Sequence, residues 1–334
     1  MLKRSGQNQL AKANHSSMSP EFNLIAKYFT RATPSADLGV GDDAALLRVS
    51  EGHQLAISVD MLVAGTHFFH DAAPYGIGWK SLAVNISDMA AMGAVAKWAT
   101  LAIALPEINQ HWLAEFSRGL FACADNFKVD LIGGDTTRGP LNISVQIMGE
   151  VPTGKAMRRD GAKLDDDVWV SGKLGSAALG LAHLQNKITL DSEVAEHCLQ
   201  ALHTPMPRTG LGLELRNRAN SCIDVSDGLL ADLGHILEAS NLGAIVTLDD
   251  ITCHDYLRTH LDEPIIQQCV LAGGDDYELV FTAPQSKRDA IQQLGQQLNL
   301  PLSLIGKTTE NLGIKVTYKQ QLLDISKKGF DHFD

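Results

Sequence analysis

Leu55-Ala56-Ile57-Ser58-Val59-Asp60 alternates large apolar side chains with small or polar ones, and a period of two is the signature of a strand. Such a strand delivers Ser58 and Asp60 to one face, and Leu55, Ile57 and Val59 are expected to face a core. The next segment, about 75–92, changes to the helical period. Leu82, Ile86 and Met89 make an apolar stripe there, and Ser81, Asn85 and Asp88 a polar one. Asp88 therefore points away from the core stripe. A strand followed by a helix is the unit of the α/β class, in which ligands gather at strand ends.

Outward from this pair, strands are expected at 96–105, 129–132 and 142–149. Pro106-Glu107 should open a helix carrying Trp112, Phe116, Leu120 and Phe127. A loop at 152–161 with Lys155, Arg158 and Arg159 reads as a domain boundary. The second half repeats the grammar, with a strand at 168–170, helices near 176–187 and 207–219, and a strand at 222–225. A helix over 228–241 capped by Gly243 and strands near 244–249, 277–283, 302–306 and 313–318 complete it. Residues 1–19, polar and aperiodic, are expected to form a disordered tail. The expected organisation is thus two α/β domains, 20–152 and 153–334, as a length of 334 residues favours.

A net charge of −11 argues against nucleic-acid or anionic membrane partners. Five scattered cysteines without Cys-x-x-Cys spacing read as reduced, buried thiols, and no run reaches the length of a membrane span. A cytoplasmic enzyme is the expectation.

Aspartates recur in Gly-punctuated turns: Gly41-Asp42-Asp43, Ser58-Val59-Asp60, Asn85-Ile86-Ser87-Asp88, Gly133-Gly134-Asp135-Thr136, Asp224-Val225-Ser226-Asp227-Gly228 and Gly273-Gly274-Asp275-Asp276. One such turn is ordinary Asx or capping chemistry. Six are more than turns need. Gathered in one cleft, carboxylates repel by about 4 kcal/mol per close pair at an effective dielectric near 20, so cations must offset them. Hard oxygen ligands suit Mg²⁺, bound together with substrate phosphates.

Two familiar nucleotide motifs fail. Gly39-Val40-Gly41-Asp42-Asp43-Ala44 fits a dinucleotide fingerprint, yet its two carboxylates would meet the pyrophosphate and no clear strand precedes it. Gly149 to Lys155 resembles a P-loop, but Ala156 stands where a hydroxyl should hold Mg²⁺.

Taken in order, the motifs Gly41-Asp42-Asp43-Ala44-Ala45, Ser58-Val59-Asp60 with His67, Asn85 to Gly93 and Gly133-Gly134-Asp135-Thr136-Thr137 closely resemble the thiamine-monophosphate kinase family. Arg158-Arg159-Asp160-Gly161-Ala162, Asp224 to Leu229, Gly273 to Leu279 and Gly329 to Phe333 continue the likeness. The family belongs to the aminoimidazole ribonucleotide synthetase superfamily. The resemblance implies an N-terminal α/β domain that forms a dimeric sheet or barrel with its twin, so a homodimer, and a C-terminal α/β domain. It implies phosphorylation of thiamine monophosphate by ATP, the last step towards thiamine diphosphate, assisted by several Mg²⁺ ions.

By the same resemblance Asp43, Ser58, Asp60, Asp88, Asp135, Asp224 and Asp227 map to metal positions, and Val59 to one where only its carbonyl can serve. Gly134, Asp135, Arg159 and Ser226 map to ATP contacts, and His67, Glu278 and Phe330 to substrate contacts. Physical chemistry agrees. The acceptor is already an anionic phosphate oxygen, so no general base is needed and direct in-line transfer is expected. Selenophosphate synthesis, a rival within the superfamily, would want a reactive cysteine near the N-terminal loop, and the first is Cys123. A nucleotide-sensing module would need no acceptor pocket.

Overall fold

The computed structural model describes residues 19–325, 329 and 330. Ser19 caps helix α1 (Pro20–Tyr28), its hydroxyl accepting the Phe22 N–H. The rest of the expected tail lies outside the described residues.

Strands β1 (His53–Val63), β2 (Val95–Leu105), β3 (Asp130–Arg138) and β4 (Asn142–Pro152) form the first sheet in the order β1-β4-β2-β3. Its pairs are antiparallel except β2 with β3. Helices α2 (Pro74–Ala91) and α3 (Gln110–Phe127) cover one face, where Leu82, Ile86, Phe116 and Leu120 meet Ile103, Val145 and Ile147.

The alternation of β1 is present with its faces exchanged. Leu55, Ile57, Val59 and Met61 are 40, 55, 61 and 52% exposed, whereas Ala56 and Leu62 pack into the core beside Ser58 and Asp60. The inner face of β1 meets the polar stripe of α2, so the small and polar residues go inside. The Ser58 hydroxyl donates to Asp88 at 2.5 Å and the Asp60 N–H to Asn85 Oδ1 at 3.0 Å.

Two expected boundaries also move. α3 begins after Asn109 rather than at Pro106, because the Asn109 side chain accepts the Trp112 N–H at 3.0 Å. β3 does not stop at Gly133-Gly134-Asp135 but runs through it, bulged opposite Ala99 and Thr100. Gly134 has φ +155°, and a Cβ there would lie 1.9 Å from the Leu101 carbonyl oxygen. Only glycine allows that approach.

The second sheet runs β11-β10-β7-β9-β5-β8-β6. Its strands are β5 (Asp167–Ser171), β6 (Ser221–Asp224), β7 (Gly243–Thr247), β8 (Leu279–Ala283), β9 (Leu302–Thr309), β10 (Gly313–Tyr318) and β11 (Gln321–Leu323). Helices α4 (Ser176–Leu184), α5 (Ser192–His203), α6 (Thr209–Leu215), α7 (Leu229–Ser240), α8 (Asp255–Thr259), α9 (Pro264–Ala272) and α10 (Arg288–Gln297) accompany them. α7 ends on Asn241 in the left-handed conformation, the role expected of Gly243, which instead opens β7.

α2 serves both domains. Its Ala90 and Ala91 pack with Trp169, Leu211, Leu215 and Phe281, and Gly212 lies so near that a Cβ would sit 2.1 Å from the Ala90 carbonyl oxygen. That double packing buries even Asn85 and Ser87. All five cysteines are buried and free, and no helix among the described residues is long and apolar enough to cross a membrane.

Candidate active site

Between the domains lies a cavity of about 800 Å³. β1 contributes Asp60, α2 contributes Asp88, and the end of β6 with its following loop contributes Asp224, Ser226 and Asp227. These four carboxylates, far apart in sequence, share one wall because α2 passes between the sheets. Burial raises the Asp60 carboxyl to about 7, and the charges of Asp88 and Asp227 push the same way. Asp224 is held well above its ordinary value by burial first, then by Asp88. Burial also raises Asp88, against the Ser58 hydrogen bond and the positive charge of Arg159.

These groups fit Mg²⁺: they are hard oxygen donors that resist ionising together without a cation. Among the described residues no group of three His, Cys, Asp or Glu side chains is placed to hold a metal ion by itself. A Mg²⁺ ion here would need ligands from water and substrate phosphates as well.

The same cavity is also lined by rings: His67, Phe69 and Phe330, with Met61 and Ile77. His67 Nδ1 accepts the Val63 N–H at 3.0 Å, which places the proton of a neutral ring on Nε2. The Phe330 N–H is bound to the Asp227 carbonyl at 3.0 Å.

Asp43, Gly134 and Asp135 lie elsewhere, in a second cavity of about 640 Å³ beside β3. There the acidic turns meet an apolar end built by Phe22, Ile25 and Leu131. Asp42 lines this cavity too and shapes its own turn, accepting the Asp43 N–H at 2.8 Å. Arg159 is exposed on a 3-10 turn between the domains.

Glu278 does not line the first cavity. It is 4% exposed, accepts from Ser171 at 2.5 Å and is gripped by Nε and Nη2 of Arg208. Its oxygens are taken up by Ser171 and the partly buried Arg208. Asp275, three residues earlier, faces the cavity instead, where Lys80 reaches it at 2.7 Å and the Tyr277 hydroxyl at 3.1 Å. The sequence reading missed Lys80, although Lys80, Val84 and Asp88 recur at a spacing of four on one face of α2.

Two family profiles match, AIR synthase related protein, N-terminal domain, over residues 41–151, and AIR synthase related protein, C-terminal domain, over residues 165–319. Fold and site thus define a two-domain protein of the AIR synthase related class. Thiamine-monophosphate kinase from Salmonella typhimurium is 44% identical over 318 residues, covering 94% of this chain and 98% of that one. The crystal structure of thiamine-monophosphate kinase from Stenotrophomonas maltophilia K279a is 46% identical with TM-score 0.80, over 88% of this chain and 94% of that chain. A structure of AaThiL complexed with AMPPCP and TMP is 29% identical with TM-score 0.74, over 85% and 89%. The chain belongs to the thiamine-monophosphate kinase family and is an enzyme.

Proposed function

We propose that this chain transfers the γ-phosphoryl group of ATP directly to thiamine monophosphate, giving ADP and thiamine diphosphate as the last step of thiamine diphosphate synthesis. One observation carries the reading. Asp60, Asp88, Asp224 and Asp227 share a cavity that His67, Phe69 and Phe330 also line, so a phosphate and an organic ring both find partners in it. Bound Mg²⁺ supplies the positive charge that lets two polyanions approach. The carboxylates hold and orient. His67 and Phe330 stand on the acceptor wall, and the Arg208 grip on Glu278 keeps the neighbouring Asp275 turn in place.

No side chain needs to act as base, since the attacking oxygen is already anionic. Incubation with Mg²⁺, ATP and thiamine monophosphate should yield thiamine diphosphate, with inversion at a chirally labelled γ-phosphorus. Retention, or a phosphorylated protein formed from ATP alone, would exclude direct transfer.

We further propose a homodimer acting in the cytoplasm. The reduced thiols favour that compartment. β1 and β3 are the two open edges of one sheet, and the outward row Leu55, Ile57, Val59 and Met61 is apolar. The acceptor cavity lies along β1 and the second, glycine-lined cavity along β3. Joining β1 of one protomer to β3 of its partner would bring one chain's nucleotide pocket to the other's acceptor cleft.

A further inference from the structure

We infer that Asp232 is a positioning residue for this site: by holding the backbone of residues 226–228 it builds the metal-facing carboxylates and the acceptor wall on one rigid loop. Asp232 lies in the first turn of α7, is 2% exposed and lines neither cavity. A single oxygen, Oδ2, accepts the N–H groups of Ser226, Asp227 and Gly228 at 3.0, 3.0 and 3.1 Å. Three donors on one oxygen leave it no capacity to bind a metal ion. They fix three successive peptide planes.

The same loop is held from its other side. The Ser226 carbonyl accepts the Asp275 N–H at 2.8 Å, the Val225 carbonyl accepts the Tyr277 N–H at 2.8 Å, and the Asp227 carbonyl accepts the Phe330 N–H at 3.0 Å. Gly228 at φ +125° sits against Ala272, where a Cβ would come within 2.7 Å of its carbonyl carbon. The side chains of Asp224 and Asp227 therefore face phosphate chemistry from the very backbone whose carbonyls carry Asp275 and Phe330. Displacing that backbone must disturb the carboxylates and the aromatic lining of the cavity together. A buried carboxylate satisfied by three N–H groups is the component that sets its position.

The inference rests on the function proposed above, and its test separates the two. Asp232→Ala should raise both the Mg²⁺ concentration for half-maximal rate and the Kd for thiamine monophosphate by about tenfold or more, as lost supporting hydrogen bonds do around metal sites. Asp232→Asn keeps an acceptor oxygen of the same reach and should hold both values within about threefold. Should the alanine chain fail to fold, Asp232→Ser, whose hydroxyl falls short of the three N–H groups, gives the same readouts. Loss of thermal stability with neither constant moved would overturn the role, as would an asparagine variant as impaired as the alanine one. A wild-type chain that binds no thiamine monophosphate would instead overturn the proposed function.

Discussion

Asp60 carries the strain of the site in its own ionisation. Its carboxyl is raised from 3.8 to about 7, so between these values the folded chain binds a proton that the unfolded chain releases. The metal-free protein should therefore lose stability as pH rises through this window. Asp60→Asn should lose less, a difference that thermal unfolding at several pH values measures. The same variant, and Asp88→Asn, should cut turnover by at least about 100-fold, since a ligand matters no less than its supporting shell. Wild-type rates in both would dismiss the metal assignment. Phe330, half-exposed and lining the same cavity, sets a contrasting expectation. Phe330→Ala should raise KM for thiamine monophosphate, by the roughly 1–3 kcal/mol that base–aromatic stacking contributes, and leave KM for ATP unmoved. Parallel loss for both substrates would mean that the ring merely pins the chain end.

β3 shows at the scale of an element why some of this architecture was legible and some was not. Hydrophobic periodicity located its start, as it located β1, α2, β2 and β4, because each carries an apolar row packed into a core. The glycines at 133 and 134 read as a strand end, since sequence alone does not tell a turn from a bulge where two backbones approach. Gly134→Ala would push a methyl group onto the Leu101 carbonyl. It should destabilise the chain by about 1–3 kcal/mol and weaken nucleotide binding, both readable from unfolding with and without ADP. In β1 the alternation announced two unlike faces but not which one is inside. The answer depends on α2, whose Asn85 and Asp88 claim the polar side. Asp224 and Asp227 stand in a motif that ends in Gly228, whereas Asp60 and Asp88 lie within β1 and α2 with no glycine beside them, so the expected glycine turns describe only part of the acidic cluster. Lys80 and Arg208 were not legible, because a single basic residue within a helical pattern, or just before one, carries no motif and gains meaning only from the acid that folding brings to it.

The whole molecule places its aspartates in two cavities, one along each open edge of the first sheet. If two copies join those edges, Ile57→Asp should leave a monomer by light scattering and lose activity with it. Asp60→Asn and Asp135→Asn chains, each inactive alone, should recover about a quarter of wild-type activity when unfolded, mixed equally and refolded, because half the dimers then hold one intact site. No recovery would place both aspartates in the same protomer's site. The buried cysteines offer a way to watch the two domains separately. Cys123 belongs to the core beneath α2 and α3, whereas Cys198, Cys222, Cys253 and Cys269 are spread through the second domain. Burial raises Cys198 to about 11 and Cys269 to about 12, and pushes Cys123 and Cys222 higher still. Scarcely any thiolate is then present at neutral pH, and none is open to reagent. An alkylating label added to the native chain should thus react only as fast as the protein opens. Mass spectrometry of the labelled peptides would time that opening domain by domain, with no residue changed.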